Sequence, residues 1–306
     1  MIAFGCSITD DVLYARCAEP GIRRAAEPDS EIIANSAAGS IFRSYNLIME
    51  QAARHEDLEA LVLVHQDAEI ADPDFARKVR DALADPNVGV VGCVGAIDVR
   101  SIAWWEGSVT WASFTHRYPE FGGGDVPAFS WWEEKKRPGY ARTGEVDTID
   151  GFVMVLSPWV VSKVRFDETL MSQIHGYDFD FCLQVRELGR KVATTDFQVV
   201  HHHSLKLVSN RESWMQAHMK VADKWEGRMP GIGLPNWGAA PEDWRTRARL
   251  AEAEAGAARL ERASMELVAD AHERELKVMR DSVSWRVTAP MRRVSAWARG
   301  ARRSRR

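Results

Sequence analysis

The chain is 306 residues long, 45% hydrophobic and 27% charged, with a formal net charge of −4, a size and balance that suit one large α/β domain with an appendage, or two small domains. It has no run of about eighteen apolar residues, and it opens directly on Ile2-Ala3-Phe4 without a basic region and long apolar core, so neither a membrane span nor a secretory signal is expected. Cys6, Cys17, Cys93 and Cys182 are scattered without a Cys-x-x-Cys pair, which speaks for buried, reduced thiols in a cytoplasmic protein rather than a disulfide frame or zinc site.

In chain order, Met1 to Cys6 reads as a first strand, and Asp10 to about Arg24 as a helix behind an Asp-rich cap. Glu31 to Ala34 is a short second strand. Ser40 to Arg54 follows as an amphipathic helix with Ile41, Leu47, Ile48 and Ala52 on its apolar side. The run Leu61-Val62-Leu63-Val64 has no polar alternation and reads as a strand buried on both faces, the kind found in a mainly parallel sheet. It stops abruptly at His65-Gln66-Asp67. Ligands of open α/β sheets sit beyond the carboxyl ends of the strands, so Asp67 is placed to hold a metal or a phosphate-bearing substrate; equally, it could cap the next turn. Asp72-Pro73-Asp74-Phe75 starts a helix running to about Leu83, and Val88 to Val94 is another buried strand. This alternation points to a doubly wound, nucleotide-binding type of sheet, although no Gly-x-Gly-x-x-Gly or Walker-type loop follows any of its strands.

Residues Ser101 to Tyr140 hold Trp104, Trp105, Trp111, Trp131 and Trp132, the glycines Gly122 to Gly124 and a charged stretch from Glu133 to Arg137. Indole faces at this density either stack on sugar or fill a core, and the glycine and charge runs read as loops. Strand character returns from Val146 to Leu156, interrupted at Asp150-Gly151. Ser157-Pro158-Trp159 opens a short helix. From Tyr177 a helix runs to Gly189, with Asp178 and Asp180 in its first turn, where the helix dipole favours carboxylates. A last strand, Lys191 to Val200, leads into His201-His202-His203. On an extended segment His201 and His203 share one side and His202 takes the other, so at most two can reach one metal ion.

Taken together, His65-Gln66-Asp67, Asp150-Gly151, Phe166-Asp167-Glu168, His175-Gly176-Tyr177-Asp178-Phe179-Asp180, Gly189-Arg190-Lys191 and the histidine tract, in this order and spacing, resemble a family 2-type glycosyltransferase over about residues 1 to 205. The branch it is most similar to has a His-Gln-Asp version of the Asp-x-Asp motif. The resemblance implies an α/β GT-A fold, with a mainly parallel sheet flanked by helices. It implies a nucleotide-sugar donor, a saccharide or lipid-linked acceptor, and a divalent ion, Mn²⁺ or Mg²⁺, with Asp67 as ligand. His65 then ligates metal, contacts ribose or phosphate, or orients Asp67. A further ligand comes from the histidine tract, His202 being favoured over His201 and His203. Asp178 matches the catalytic base of an inverting displacement. Asp150, Gly151, Tyr177 and Asp180, with Trp104 and Trp105, are expected around donor and acceptor.

Beyond this region, Ser209 to Trp237 suggests a helix over the acceptor side, and Glu242 to Asp281 a long solvated helix with an imperfect heptad, either pairing with a second copy or folding back on the domain. The expected organisation is a transferase domain over 1–229, a linker over 230–241, the long helix over 242–281 and a basic tail over 282–306, forming a C-terminal helical extension. From Pro290 onward the chain has seven arginines and no acid, which suits peripheral contact with an anionic inner membrane face; the segment from Ser282 to Arg292 is similar to tails of cell-surface polysaccharide glycosyltransferases. Nucleic acid is not an expected partner, because the rest of the chain is acidic and lacks a reading module. The alternative to an enzyme of polysaccharide or glycoconjugate assembly is a non-catalytic nucleotide-sugar-binding or scaffold protein of the same fold.

Overall fold

The structure, a computed structural model, describes residues 1–36, 38–107, 109–112, 114–117, 125–127, 144–170, 174–202, 210–229 and 242–288. The expected linker over 230–241, His203, Trp131 and Trp132, the glycine and charge runs between 118 and 140 and the arginine-rich end lie outside these residues, apart from Gly124's neighbour strand at 125–127. The first half comprises β1 (Ile2–Ser7), α1 (Asp11–Arg16), α2 (Ala18–Ala25), β2 (Ile32–Asn35), α3 (Ile41–Ala52), β3 (Ala60–His65), β4 (Ala68–Ile70), α4 (Phe75–Ala82), β5 (Val88–Gly92), β6 (Val94–Ile97), β7 (Val109–Ala112), β8 (Thr115–Arg117) and β9 (Asp125–Pro127). The second half comprises β10 (Gly144–Val146), β11 (Thr148–Ile149), β12 (Val153–Leu156), α5 (Pro158–Lys163), α6 (Tyr177–Glu187), β13 (Lys191–Thr194), β14 (Val199–His201), α7 (Arg211–Trp225), α8 (Glu242–Asp281) and α9 (Val283–Val287).

The central sheet has the order β10-β13-β5-β12-β3-β1-β2. Strand β1 pairs parallel with β2 and β3, and β13 with β5, whereas β12 runs against β3 and β5, and β10 against β13. The sheet is therefore mixed, with reversed strands set among parallel ones. Its pivot is β3, buried along its apolar length. Leu61 and Leu63 face one core layer, with α3, α5 and α6, while Val62 and Val64 face the other, with α2 and α4. This period-two division is why the run carries no polar residue: each side chain leaves water on one face or the other, and each burial contributes roughly 1.5–3 kcal/mol. Helix α3 lies so close on β1 that a Cβ at Gly5 would stand 2.4 Å from the Ile48 side chain.

Four expected elements are divided in the structure. The helix from Asp10 to Arg24 is two helices breaking at Cys17; the Asp10 carboxylate accepts from the Val12 and Leu13 amides and caps the first. The strand from Val88 to Val94 parts into β5, in the central sheet, and β6, in a three-stranded sheet of order β11-β6-β7. Val146 to Leu156 becomes β10, β11 and β12, the last two separated by the Asp150-Gly151 turn. Lys191 to Val200 becomes β13 and β14, the latter in a four-stranded sheet of order β4-β14-β8-β9. Between them Phe197 turns inward against Phe75, ring centroids 4.8 Å apart, and the Asp72 carboxylate takes the Gln198 amide. An apolar run shows that backbone is buried, but not where it leaves one sheet for another.

Helix α7 starts behind Asn210, whose side chain accepts from the Ser213 amide. Helix α8 packs its first half against α7: Ala253, Ala257 and Leu260 are buried in the same core layer as Trp214. A Cβ at Gly256 would come 2.7 Å from the Trp214 ring. The long helix thus folds back on the domain through its first half.

Candidate functional site

The end of β3 builds the site. Strand β3 delivers His65, Asp67 sits in the turn to β4, and β14 runs antiparallel to β4 with His201 opposite Ala68. The His202 amide donates to the Asp67 carbonyl at 2.8 Å, continuing that pairing. Three side chains therefore converge: His65 Nδ1 lies 3.9 Å from Asp67 Oδ1, and His201 Nε2 lies 3.5 Å from the same oxygen. One ligand atom from each falls within 4.8 Å of the others. Gln66 holds the turn instead of joining the cluster. Its Oε1 accepts from the Thr9 and Asp10 amides at 2.8 and 2.9 Å, binding the end of β3 to the start of α1.

Of the histidine tract, in which His202 is the favoured ligand from sequence, it is the His201 side chain that lies with His65 and Asp67. Because side chains alternate along β14, His202 points to the other face and its Nε2 meets Glu69 Oε2 at 3.0 Å, with Arg24 on the second carboxylate oxygen at 2.7 Å. His201 is stacked on Phe152, centroids 4.5 Å apart and 16° between planes, with the His116 ring 6.2 Å away on the neighbouring strand β8. Phe152 and His116 escaped the sequence reading. Only strand register brings them here.

The electrostatics set these groups apart. Burial alone would depress His201, but the Asp67 and Asp150 carboxylates overcome it and raise its pKa. Burial lowers that of His65, so His65 favours the neutral imidazole that a metal needs. The donor set, two imidazole nitrogens and one carboxylate oxygen, fits a divalent transition-metal ion better than Mg²⁺, which favours oxygen throughout.

The Asp150-Gly151 turn links this cluster to the first turn of α6. That helix opens from Gly176, whose φ of +79° is left-handed and suits glycine. The Asp178 carboxylate accepts from the Gly151 amide through Oδ2 and from the Phe179 amide through Oδ1, both at 2.8 Å. Burial first, and the Asp150 charge second, push its pKa from 3.8 to about 7. Asp150 is raised as well, chiefly by burial, although His201 and His65 pull it down. A carboxylate that changes charge near neutrality can accept a proton as readily as it holds one.

The other residues expected around donor and acceptor take the following positions. Asp180 is fully buried and points away from the cluster: its oxygens meet Trp225 Nε1 at 2.7 Å, Lys224 Nζ at 2.7 Å and Gln184 Nε2 at 2.8 Å. It ties α6 to α7. Tyr177 is also buried, and its hydroxyl meets His65 Nε2 at 2.6 Å. Gly151 lies directly against that hydroxyl. Trp104 and Trp105 are half-buried on the short turn before β7; Trp105 leans on Trp214 of α7, centroids 6.2 Å apart, and Glu106 pairs with Arg259 of α8. Packing thus occupies much of both indoles.

The "Streptomycin biosynthesis protein StrF" of Streptomyces griseus is 29% identical over 210 residues, about two thirds (67%) of each chain. Among solved structures, GalNAc-T7 with UDP, GalNAc and Mn²⁺ is similar over 74% of this chain and 48% of that one, at 10% identity and a TM-score of 0.48. The mannosyltransferase PcManGT of Pyrobaculum calidifontis, in complex with GDP-Man and Mn²⁺, is similar over 95% of this chain and 83% of that one, at 13% identity and a TM-score of 0.44. The model of the family described as "Glycosyltransferase like family" matches residues 3–222, a span that runs from β1 into α7 and takes in the strand-end cluster and Asp178. With that match across most of the chain, and with a mixed sheet flanked by helices and a C-terminal helical region, the chain belongs to the glycosyltransferase-like family and has the GT-A fold.

Proposed function

We propose that the protein is a metal-dependent, inverting glycosyltransferase that moves a sugar from a nucleotide-diphosphate donor to a hydroxyl acceptor, in the branch whose Asp-x-Asp motif reads His-Gln-Asp. The observation that carries this reading is the meeting of His65, Asp67 and His201 at the end of β3, with Asp178 across the Asp150-Gly151 turn. Held by these three side chains, a divalent ion would supply positive charge to the departing diphosphate. Asp178 supplies the base. In its ionised form it takes the acceptor hydroxyl's proton as that oxygen attacks the anomeric carbon from the face opposite the nucleotide, which inverts the configuration. The two backbone amides on Asp178 hold its carboxylate in one orientation, and burial keeps it basic enough to take the proton near neutral pH.

The acceptor belongs to cell-surface polysaccharide or another glycoconjugate; the name of the streptomycin biosynthesis relative supports the second of these. The apolar residues exposed along the second half of α8, Met265, Leu276 and Met279, support pairing with a second copy, which chain mass in solution would test. For the main reading, purified protein with Mn²⁺ is assayed for nucleoside-diphosphate release across UDP-, GDP- and dTDP-sugars. One donor is expected to turn over, and Asp178→Asn to abolish turnover. A wild-type protein that binds a nucleotide sugar yet neither transfers nor hydrolyses it, and that behaves like Asp178→Asn, would instead favour a non-catalytic binding protein.

A further inference from the structure

We infer that Tyr177 is a positioning residue for the metal cluster: its hydroxyl holds the far nitrogen of His65 so that Nδ1 faces Asp67 and His201, and Gly151 is the clearance that lets the hydroxyl reach it. The inference rests on the metal reading proposed above.

His65 uses its two nitrogens in different directions. Nε2 meets the Tyr177 hydroxyl at 2.6 Å, while Nδ1 faces Asp67 Oδ1 at 3.9 Å. A nitrogen that donates its lone pair to a cation cannot also carry a proton. Ligation through Nδ1 therefore requires the tautomer with its proton on Nε2, and that N–H must find an acceptor because His65 is largely enclosed. The Tyr177 oxygen is that acceptor.

Tyr177 suits the task because its ring has little room to move. It is 3% exposed, and three aromatic rings enclose it: Phe42 at 6.1 Å, Tyr45 at 5.8 Å and Phe166 at 5.9 Å between centroids. A side chain so enclosed fixes one atom rather than sampling a ligand surface. Gly151 completes the arrangement: a Cβ there would lie 2.0 Å from the Tyr177 hydroxyl oxygen, so any larger residue drives the tyrosine off His65. Tyr45 provides an internal comparison. Its ring belongs to the same aromatic group, but its buried hydroxyl has no hydrogen-bond partner among the described residues.

The test compares Mn²⁺ binding, followed by the electron paramagnetic resonance of free Mn²⁺, in the wild type, Tyr177→Phe, Tyr45→Phe and Gly151→Ala. Tautomer is read from the ¹⁵N shifts of the His65 ring, with Zn²⁺ as a diamagnetic ion. Tyr177→Phe and Gly151→Ala are expected to weaken Mn²⁺ affinity by about 10–100-fold, with Tyr45→Phe at the wild-type value. In Tyr177→Phe the metal-free His65 ring should lose its single tautomer. If the wild type binds Mn²⁺ and Tyr177→Phe binds it equally, or if Tyr45→Phe weakens binding as much as Tyr177→Phe, the positioning role is wrong while the metal reading stands. A wild type that binds no divalent ion would overturn the metal reading and this inference with it.

Discussion

Asp178 carries a charge that the fold opposes. Its pKa of about 7 lies above the ordinary 3.8, so ionisation costs the folded state more than the unfolded one. The stability linked to this group is fully present below the ordinary carboxylate range and is lost as pH rises through about 7. With Asp178 as the proposed base, activity runs the other way, since a base works only when ionised. The acid limb of kcat/KM is therefore expected near pH 7, and a pH profile checks it. Asp150→Asn removes the second cause and should move that limb down by on the order of one unit; burial, the larger cause, keeps it above the ordinary range. At the cluster, His201→Ala should abolish tight Mn²⁺ binding and His202→Ala should retain it, as calorimetric titration would report. The sequence supplied Asp67, Asp178 and a histidine tract with a two-sided alternation, but not the register. Which histidine turns inward depends on His201 standing opposite Ala68, a pairing between strands 133 residues apart, the same separation as between Glu69 and His202.

At the scale of elements, the first turn of α6 serves two purposes with alternate acids. Asp178 faces the Gly151 turn, while Asp180 is buried among Lys224, Trp225 and Gln184 and fastens α7 to α6. Capping logic predicts acids in this turn from sequence but cannot assign their faces, because the groups that decide them lie elsewhere in the chain: Gly151 is 27 residues from Asp178, and Lys224 and Trp225 are 44 and 45 residues from Asp180. Removing the carboxylate leaves Lys224 paired with Asp167 at 2.6 Å but leaves the buried Trp225 indole N–H without its acceptor, which costs about 1–3 kcal/mol. Asp180→Ala should accordingly lower the free energy of unfolding in urea by that amount, while Gln184→Ala, which leaves the ion pair, costs about 1 kcal/mol. The divided elements obey similar physics. At Cys93 the chain stays buried as it passes from one sheet to another, so hydrophobicity continues where geometry does not; between β13 and β14 Phe197 alone is buried, with Asp196 and Gln198 exposed on either side.

Across the whole molecule, the central sheet and its two core layers present the strand-end cluster, and α7 and α8 cover the side formed by α6 and the tryptophan turn. The composition of this stretch reads as a long helix, and α8 spans Glu242–Asp281. Its division did not show in an imperfect heptad: Ala253, Gly256 and Ala257 are small because α7 lies against them, whereas Leu276 and Met279 face solvent. Leu276→Lys with Met279→Lys should leave the urea midpoint of the domain unchanged, whereas Gly256→Leu, driven into Trp214, should lower it. No described helix is long and apolar enough to cross a membrane. The central claim is that His65, Asp67 and His201 hold a divalent ion that makes a nucleotide-sugar site, and ligand binding to the folded state would register as a rise in melting temperature. The most direct measurement is a thermal-shift panel of UDP-, GDP- and dTDP-sugars, with and without Mn²⁺, on the wild type and on Asp67→Asn. A donor that stabilises the wild type only with Mn²⁺, and fails to stabilise Asp67→Asn, is the expected result; equal stabilisation of both proteins, or a response independent of Mn²⁺, would contradict it.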